Sequence, residues 1–551
     1  MVKFLKVLVN SLLSGILFSA LLAVLIWDLN INMVFDPPGM GLLALHLAQF
    51  YGLAAAFACF LAFFIIQFFA GRKLKIAVVS PSFLALSFSL LTLLYLGIFR
   101  ANYRYFNAFF DPRTRSHISI QMGILLAMAV AGFILFYAAR RSRKKGYAFA
   151  AYFILWTFGM GAAVAQRGKF PSPSQPARAG GIESKKIDKR ITLIGFEGLS
   201  YDTLLPLVSQ AKLPNFSWLI DRSAWGRLES FTPNEPFILN HSLDTGKLPY
   251  KHRQISLFSY RLMKRRPAME VSPRFIFFKQ LARLGLLEIS PRKPAPGARD
   301  IWSIIEANGA KAVHSENLST PCEPGSNPKA DKAFAQSFAL DGQGASGPMK
   351  RVEKSFICDW EKEEKAFQER NLVQPEIFHL LLDGLNPVEA YFYKYSFPES
   401  YGSIAQEDIN RYGSVIEKYL AFYDQIVGKY LASRGEDELL VIYSAFGVEP
   451  LPVWKRFVDW ILGNPDFSAH HEGAPDGLIF FKGAGVRSGS MINGIKLVDI
   501  APTLLYYLGL PVGKDMDGIV QSRIFLPEYT AENPILSIHT YEGIEVKNRR
   551  P

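Results

Sequence analysis

The sequence predicts a helical membrane segment of five spans followed by an α/β domain, a mostly parallel sheet with helices on both faces. Three observations predict it. Apolar runs long enough to cross a bilayer, which takes about 20 residues, crowd the amino-terminal part at 8–27, 42–69, 76–99, 118–138 and 147–166. Beyond them, strand-like and helix-like stretches alternate, the pattern of β–α–β units. One stretch, ITLIGFEGLSYD at 191–202, joins an apolar strand to a Gly-x-x-Gly turn and a helix start. The carboxyl end of such a strand is where an α/β sheet presents its chemistry.

The bulk numbers agree. The chain has 551 residues, 50% of them hydrophobic, which is too apolar for an ordinary soluble domain of that length. The net charge is +13, but many Lys and Arg residues lie in short loops between apolar runs, and no nucleic-acid motif accompanies them. Cys59 lies in an apolar run, while Cys322 and Cys358 lie in the soluble part, where pairing stays open. No C-x-x-C is present to suggest a cysteine zinc site.

Charge sets the orientation of the spans. Lys3 and Lys6 precede the first. Arg72, Lys73 and Lys75 separate the second and third, and Arg140, Arg141, Arg143, Lys144 and Lys145 separate the fourth and fifth. These segments are expected in the cytoplasm, and the loop 28–41, without Lys or Arg, outside. The loop after Phe99 is less clean, with Arg100, Arg104, Arg113 and Arg115. The first run lacks a small-x-small cleavage site and reads as a span. The expectation is a multi-pass inner (plasma) membrane protein with a cytoplasmic amino terminus and everything after 166 periplasmic or extracytoplasmic. No charged pair is expected within the spans; Asn10, His46, Gln49 and Pro81 stand isolated, and the spans read as an anchor in the lipid bilayer.

Residues 167–187 contain PSPSQPARAGG, a flexible linker by composition, so the expected parts are 1–166, 167–187 and 188–551. Within the last part, ITLIGFE is a strand and LLPLVSQAKLPNFSWLIDRS mostly helix. IWSIIEANGAKAVHS is helix, glycine cap and strand, and EIFHLLLDGL is a strand. A long amphipathic helix is expected over 408–433, then the strands ELLVIYSAF and DGLIFFKG and the helix LVDIAPTLLYYLGL. The segments 264–299 and 321–354, basic or rich in Gly and Ser, read as insertions or surface loops.

GFEGLSYD, then LPNFSWLIDRSAWGRLES, DTGKLPYKH, IWSIIEANGAKA, and finally PDGLIFFKGAGVRSG with LVDIAPTLLYYLGLPVGKDMDG follow one another in order. This series resembles the type I phosphodiesterase/nucleotide pyrophosphatase branch of the alkaline phosphatase superfamily, over essentially all of 189–525. Five spans and an outer domain are also similar to lipoteichoic acid synthases and phosphoethanolamine transferases of that sulfatase-like superfamily. The resemblance implies an alkaline-phosphatase-like fold and a hydrolase site with two divalent metals, zinc or manganese. The metals would polarise a phosphoryl oxygen and activate a Thr or Ser nucleophile.

The implied positions are largely changed here. The first carboxylate ligand falls on Glu197. The nucleophile position, nine residues before Thr245, is Pro236, with Thr232 and Ser242 flanking it. The next Asp and His positions are Asn386 and Ala390, and the adjacent Asp-His pair is Ala445 and Phe446. The last His falls on His471, or His470. Asp383 stands close enough in sequence to reach the site, and His379 reads as a strand histidine. Asp202, Asp244 and His252 fit scaffold positions rather than ligands.

Glu197 and the histidine pair also have a plainer reading, as a loop carboxylate near a helix start and surface imidazoles. Two functions follow. One is a pseudoenzyme without a confident catalytic or metal residue, a binding or scaffolding module of the cell envelope whose partner is a protein, glycan or lipid and not nucleic acid. The other is an active metal-dependent phosphodiesterase or phosphotransferase, acting on envelope or lipid-linked phosphoesters through a rearranged site that draws on Glu197, Asp383, His470 or His471, with Thr232 as a further candidate.

Overall fold

A computed structural model describes residues 2–69, 75–141, 145–170, 182–183, 187–265, 267–274, 281–282, 284–292, 298–314, 327–338, 347–461, 466–543 and 546–547. The chain divides into two compact units: Met1–Gln175 with Arg253–Gly297, and Pro176–His252 with Ala298–Pro551.

In the first unit the helices Val2–Leu29, Pro37–Phe69, Pro81–Tyr105, Pro112–Arg141 and Gly146–Arg167 are each long and apolar enough to cross a membrane. Three open on proline, which suits a first turn whose N–H groups have no partner. Pro81 is such a helix start, with the Ser80 side chain accepting from Phe83 N. Small residues let helices approach closely: a Cβ on Gly15 would meet the Gly52 carbonyl oxygen at 2.1 Å.

The expectation that the spans hold no charged pair is corrected. Helical structure extends past the apolar runs and brings Asp28 and Arg167 together at 4.0 Å, both buried. Gln121 Nε2 donates to Asp28 Oδ2 at 2.8 Å, and Arg167 donates to the carbonyls of Trp27 and Asn30 at 3.1 and 3.2 Å. Asn10 is not isolated either: it donates to Val78 O at 2.9 Å and accepts from Ser80 N at 2.7 Å.

The segment 253–297 belongs to this unit, although part of it reads as a surface loop. Phe258–Leu262 and Leu287–Pro291 form an antiparallel pair. Asn30 accepts from Glu270 N and Val271 N, Asn32 donates to Glu270 Oε2 at 2.7 Å, and Asn102 accepts from Arg274 N at 2.6 Å. Most of the expected linker lies outside the described residues; within it, Ile182–Glu183 pairs in parallel with Val546–Lys547.

The second unit is built on an eight-stranded sheet. In chain order its strands are β1 (Arg190–Phe196), β2 (Ala224–Glu229), β3 (Ala312–Val313), β4 (Ile377–Leu382), β5 (Glu438–Phe446), β6 (Asp476–Lys482), β7 (Ser490–Met491) and β8 (Ile495–Lys496). The spatial order is β7-β2-β6-β5-β1-β4-β3, with β8 also on β2. Only β6 runs antiparallel to its neighbours, so the sheet is mostly parallel.

Alternate residues of each central strand enter separate cores, one holding Ile194, Leu380 and Ile442, the other Leu193, Val441 and Ile479. A sheet buried on both faces needs continuous apolar strands, which is how β1, β4 and β5 read. The expected helix over 408–433 is two helices, Gln406–Tyr412 and Val415–Ala432, parted at Gly413 and Ser414. The segment 321–354, read as a loop or insertion, contributes the helix Pro328–Phe338 and the start of a long helix, Met349–Val373, packed on the core through Phe334, Val352 and Phe356.

Candidate functional site

Because β1, β4 and β5 are parallel, the residues after them emerge on one edge of the sheet. Glu197 follows β1 and donates its backbone N–H to Leu382 O at 2.9 Å, which sets it beside Asp383 at the end of β4. Gly198 turns the chain at φ +96°, and a Cβ there would come within 2.7 Å of Glu389 Oε2 and 3.3 Å of the Asn386 Cα. The Asn386 position thus borders the turn that carries Glu197.

The two carboxylates are joined by groups that sequence reasoning did not single out. Lys362 Nζ donates to Asp383 Oδ1 at 2.8 Å. Asp359, one helical turn earlier and fully buried, accepts from Gly384 N, from Tyr419 Oη at 2.9 Å and from Tyr423 Oη at 2.7 Å.

Burial and the neighbouring charge of Asp383 push Glu197 up to about 8, with Lys362 and Asn240 opposing. Burial and Asp383 likewise raise Asp359 to about 6, against Lys362 and the two tyrosines. Burial draws the Lys362 ammonium down, but Asp383, Asp359 and Glu197 outweigh it and hold it above its ordinary value. Glu389 is buried, neither of its carboxyl oxygens has a hydrogen-bond partner among the described residues, and burial pushes it well above the carboxylate range.

The remaining expected positions are apolar or engaged elsewhere. Pro236 is the first residue of the helix Pro236–Thr245 and carries no nucleophilic atom. Ala390 is buried, and its carbonyl accepts from Ser468 N and Oγ at 2.7 and 3.1 Å. Ala445 and Phe446 end β5, both buried. The Phe446 ring lies 5.3 Å from the His471 imidazole. His470 sits 3.7 Å from Glu449 Oε1, and its Nδ1 accepts from Glu472 N at 3.0 Å.

Asp202 pairs with Arg227 at 3.0 Å, His252 bonds Ser242 Oγ at 2.9 Å in the interior, and His379, on β4, bonds Tyr443 Oη at 2.9 Å.

A two-metal centre does not fit this donor set. An ammonium occupies Asp383, and four expected ligand positions are Asn, Ala, Ala and Phe. Among the described residues, no three His, Cys, Asp or Glu stand together as a metal site. Zinc takes three or four protein ligands.

One signal could have found Asp359. On the helix Met349–Val373 the buried positions Val352, Phe356, Asp359, Glu363, Ala366 and Arg370 recur at spacings of three and four. Charged residues on an apolar stripe are buried polar groups, which need partners.

No protein-family model and no curated protein matches the chain. Solved structures similar to it include a 2-O GAG sulfatase, at 14% identity and TM-score 0.39 over 61% of this chain and 74% of that one. A phosphonate monoester hydrolase from Silicibacter pomeroyi is similar at 14% identity and TM-score 0.35, over 61% and 76%. Murine ectonucleotide pyrophosphatase/phosphodiesterase 5, in an inactive form with AMP, is similar at 10% identity and TM-score 0.35, over 59% and 96%. These likenesses are too distant to speak for activity; the α/β architecture of this chain is read from its own sheet order.

Proposed function

We propose that this chain is a membrane-anchored, extracytoplasmic phosphodiesterase-like protein that no longer turns over phosphoesters and serves as a binding or scaffolding module of the cell envelope. Lys362 carries the reading. Its ammonium lies 2.8 Å from Asp383, at the strand end where the family resemblance implies divalent cations. A lysine supplies one positive charge to carboxylates, but no Lewis acid and no open coordination position. Pro236 in place of a hydroxyl, and Phe446 against His471, support the same conclusion. The placement outside the cytoplasm rests on the loop charges, and the disulfide-bonded state of Cys358 supports it; Cys322 lies outside the described residues.

The test is metal content and turnover of the full chain, purified in detergent without chelator. Metals per chain are counted by mass spectrometry with and without added zinc and manganese, beside hydrolysis of bis(p-nitrophenyl) phosphate. Substoichiometric metal and no turnover are expected. One or two tightly held ions, lost together with turnover in Glu197→Ala and His471→Ala, would overturn the proposal in favour of an active metal-dependent phosphodiesterase.

A further inference from the structure

Between β5 and the His470–His471 stretch lies the helix Val453–Ile461, VWKRFVDWI. Its sequence is amphipathic, with Val453, Trp454, Phe457 and Trp460 on one face at helical spacing. A helix on a soluble domain buries that face. Here the orientation is reversed. Lys455 donates to Glu472 Oε2 at 2.6 Å. Arg456 donates to Leu451 O at 2.7 Å and Ser400 O at 3.1 Å, and its guanidinium lies 4.6 Å from the Tyr401 ring centroid. The polar side docks the helix on its own unit. The apolar side faces out, with Val453 74%, Trp454 54%, Phe457 60% and Trp460 66% exposed. Four large apolar side chains grouped on one helix mark a surface that something covers.

We propose that this helix is a lipid-binding element, lying in the plane of the bilayer interface with Trp454, Phe457 and Trp460 toward the acyl boundary. Two observations select lipid over a protein groove. The same chain carries five helices long and apolar enough to cross a membrane, so the helix is tethered to a lipid surface at high effective concentration. Its apolar face is dominated by aromatic residues, two of them tryptophan, the residue enriched where one edge of a ring is wet and the other apolar. The contact requires no catalysis at the neighbouring site and stands whether or not that site turns over.

The experiment places benzoylphenylalanine at Phe457 of the full chain, reconstituted in phosphatidylcholine/phosphatidylglycerol vesicles, and reads lipid adducts by mass spectrometry after irradiation. Exposed Phe457 accommodates the larger ring, and an unchanged melting temperature verifies the fold. The same probe at Leu126, exposed on an apolar helix, and at Glu436, exposed on a loop, sets the scale. Expected is a lipid yield at position 457 comparable to that at 126 and roughly tenfold above that at 436. A yield no higher than at 436 would overturn the proposal. A cross-linked dimer without lipid adduct would overturn it too, assigning the face to a second copy.

Discussion

The two ends of β1 carry charged clusters to which one helix, Met349–Val373, contributes Arg370 at one end and Asp359 and Lys362 at the other, and they treat charge in opposite ways. At the amino end Arg370 donates to both oxygens of Glu438, at 2.7 and 2.9 Å. Thr192 and Gly435 N also donate to that carboxylate. Burial pushes Glu438 up, but these bonds outweigh it and hold it below its ordinary value. At the carboxyl end a single ammonium, Lys362, faces Asp383, Asp359 and Glu197, and the last two are held above theirs. One end is matched acid to base. The other keeps surplus acid that disfavours its own ionisation. Perturbed carboxyls grouped at the chemical edge of an α/β sheet mark a site, whereas a closed pair at the opposite edge marks structure.

The largest effect is expected from Arg370→Met. It leaves Glu438 buried without its partner, a loss of roughly 3–5 kcal/mol by denaturant unfolding. A loss below about 1 kcal/mol, the value of an exposed pair, would break the contrast between the ends. Lys362→Met should cost less, about 1–3 kcal/mol, because Asp383 stays 60% exposed and water takes over part of the interaction.

The pH dependence sharpens the contrast. Glu197 is raised from 4.5 to about 8. Between those values the native state holds a proton that the unfolded chain has lost, so stability falls as pH rises. Asp359 acts likewise from 3.8 to about 6, while buried His379, lowered from 6.5 to about 3, has the opposite slope. Both act alike in the Glu197→Gln variant and cancel in the comparison. Between about 4.5 and 8, Glu197→Gln should flatten the fall in unfolding free energy relative to the unsubstituted protein, by at most about 1.4 kcal/mol per pH unit. Glu389 contributes equally to both proteins, so the difference isolates Glu197. Glu438 is lowered, so its stabilisation is present above the ordinary value and lost as pH falls; Glu438→Gln should remove that acid-side loss. Parallel profiles for the two glutamine variants would erase the distinction. The smallest effect is expected from Arg227→Ala, which opens an exposed pair with Asp202 and should cost under about 1 kcal/mol.

Much of this architecture was legible in the chain. Five apolar runs became five helices, and β1, β4, β5 and β6 formed where continuous apolar stretches predicted them. The edge bearing Glu197 followed from a strand ending in a glycine turn. The identity of the groups meeting there did not follow. Lys362 and Asp359 lie far along the chain from Glu197, on a helix that hydropathy passes over because its inward face is partly charged. Asp28 and Arg167 escaped for a related reason: each sits just beyond an apolar run, and only the longer helices bring them together.

By itself the sequence determined the five helices long and apolar enough to cross a membrane and the central strands β1, β4, β5 and β6, because apolar period and turn residues act locally. It also determined that Pro236, Ala390, Ala445 and Phe446 cannot serve as nucleophile or ligands, because residue chemistry needs no fold. Only the tertiary structure decided that Lys362 answers Asp383 and that the helix Val453–Ile461 turns its apolar face outward. An amphipathic pattern states that a helix has two faces; which face the domain takes depends on partners such as Glu472 and the Leu451 carbonyl, whose positions are set by the packing of the whole unit.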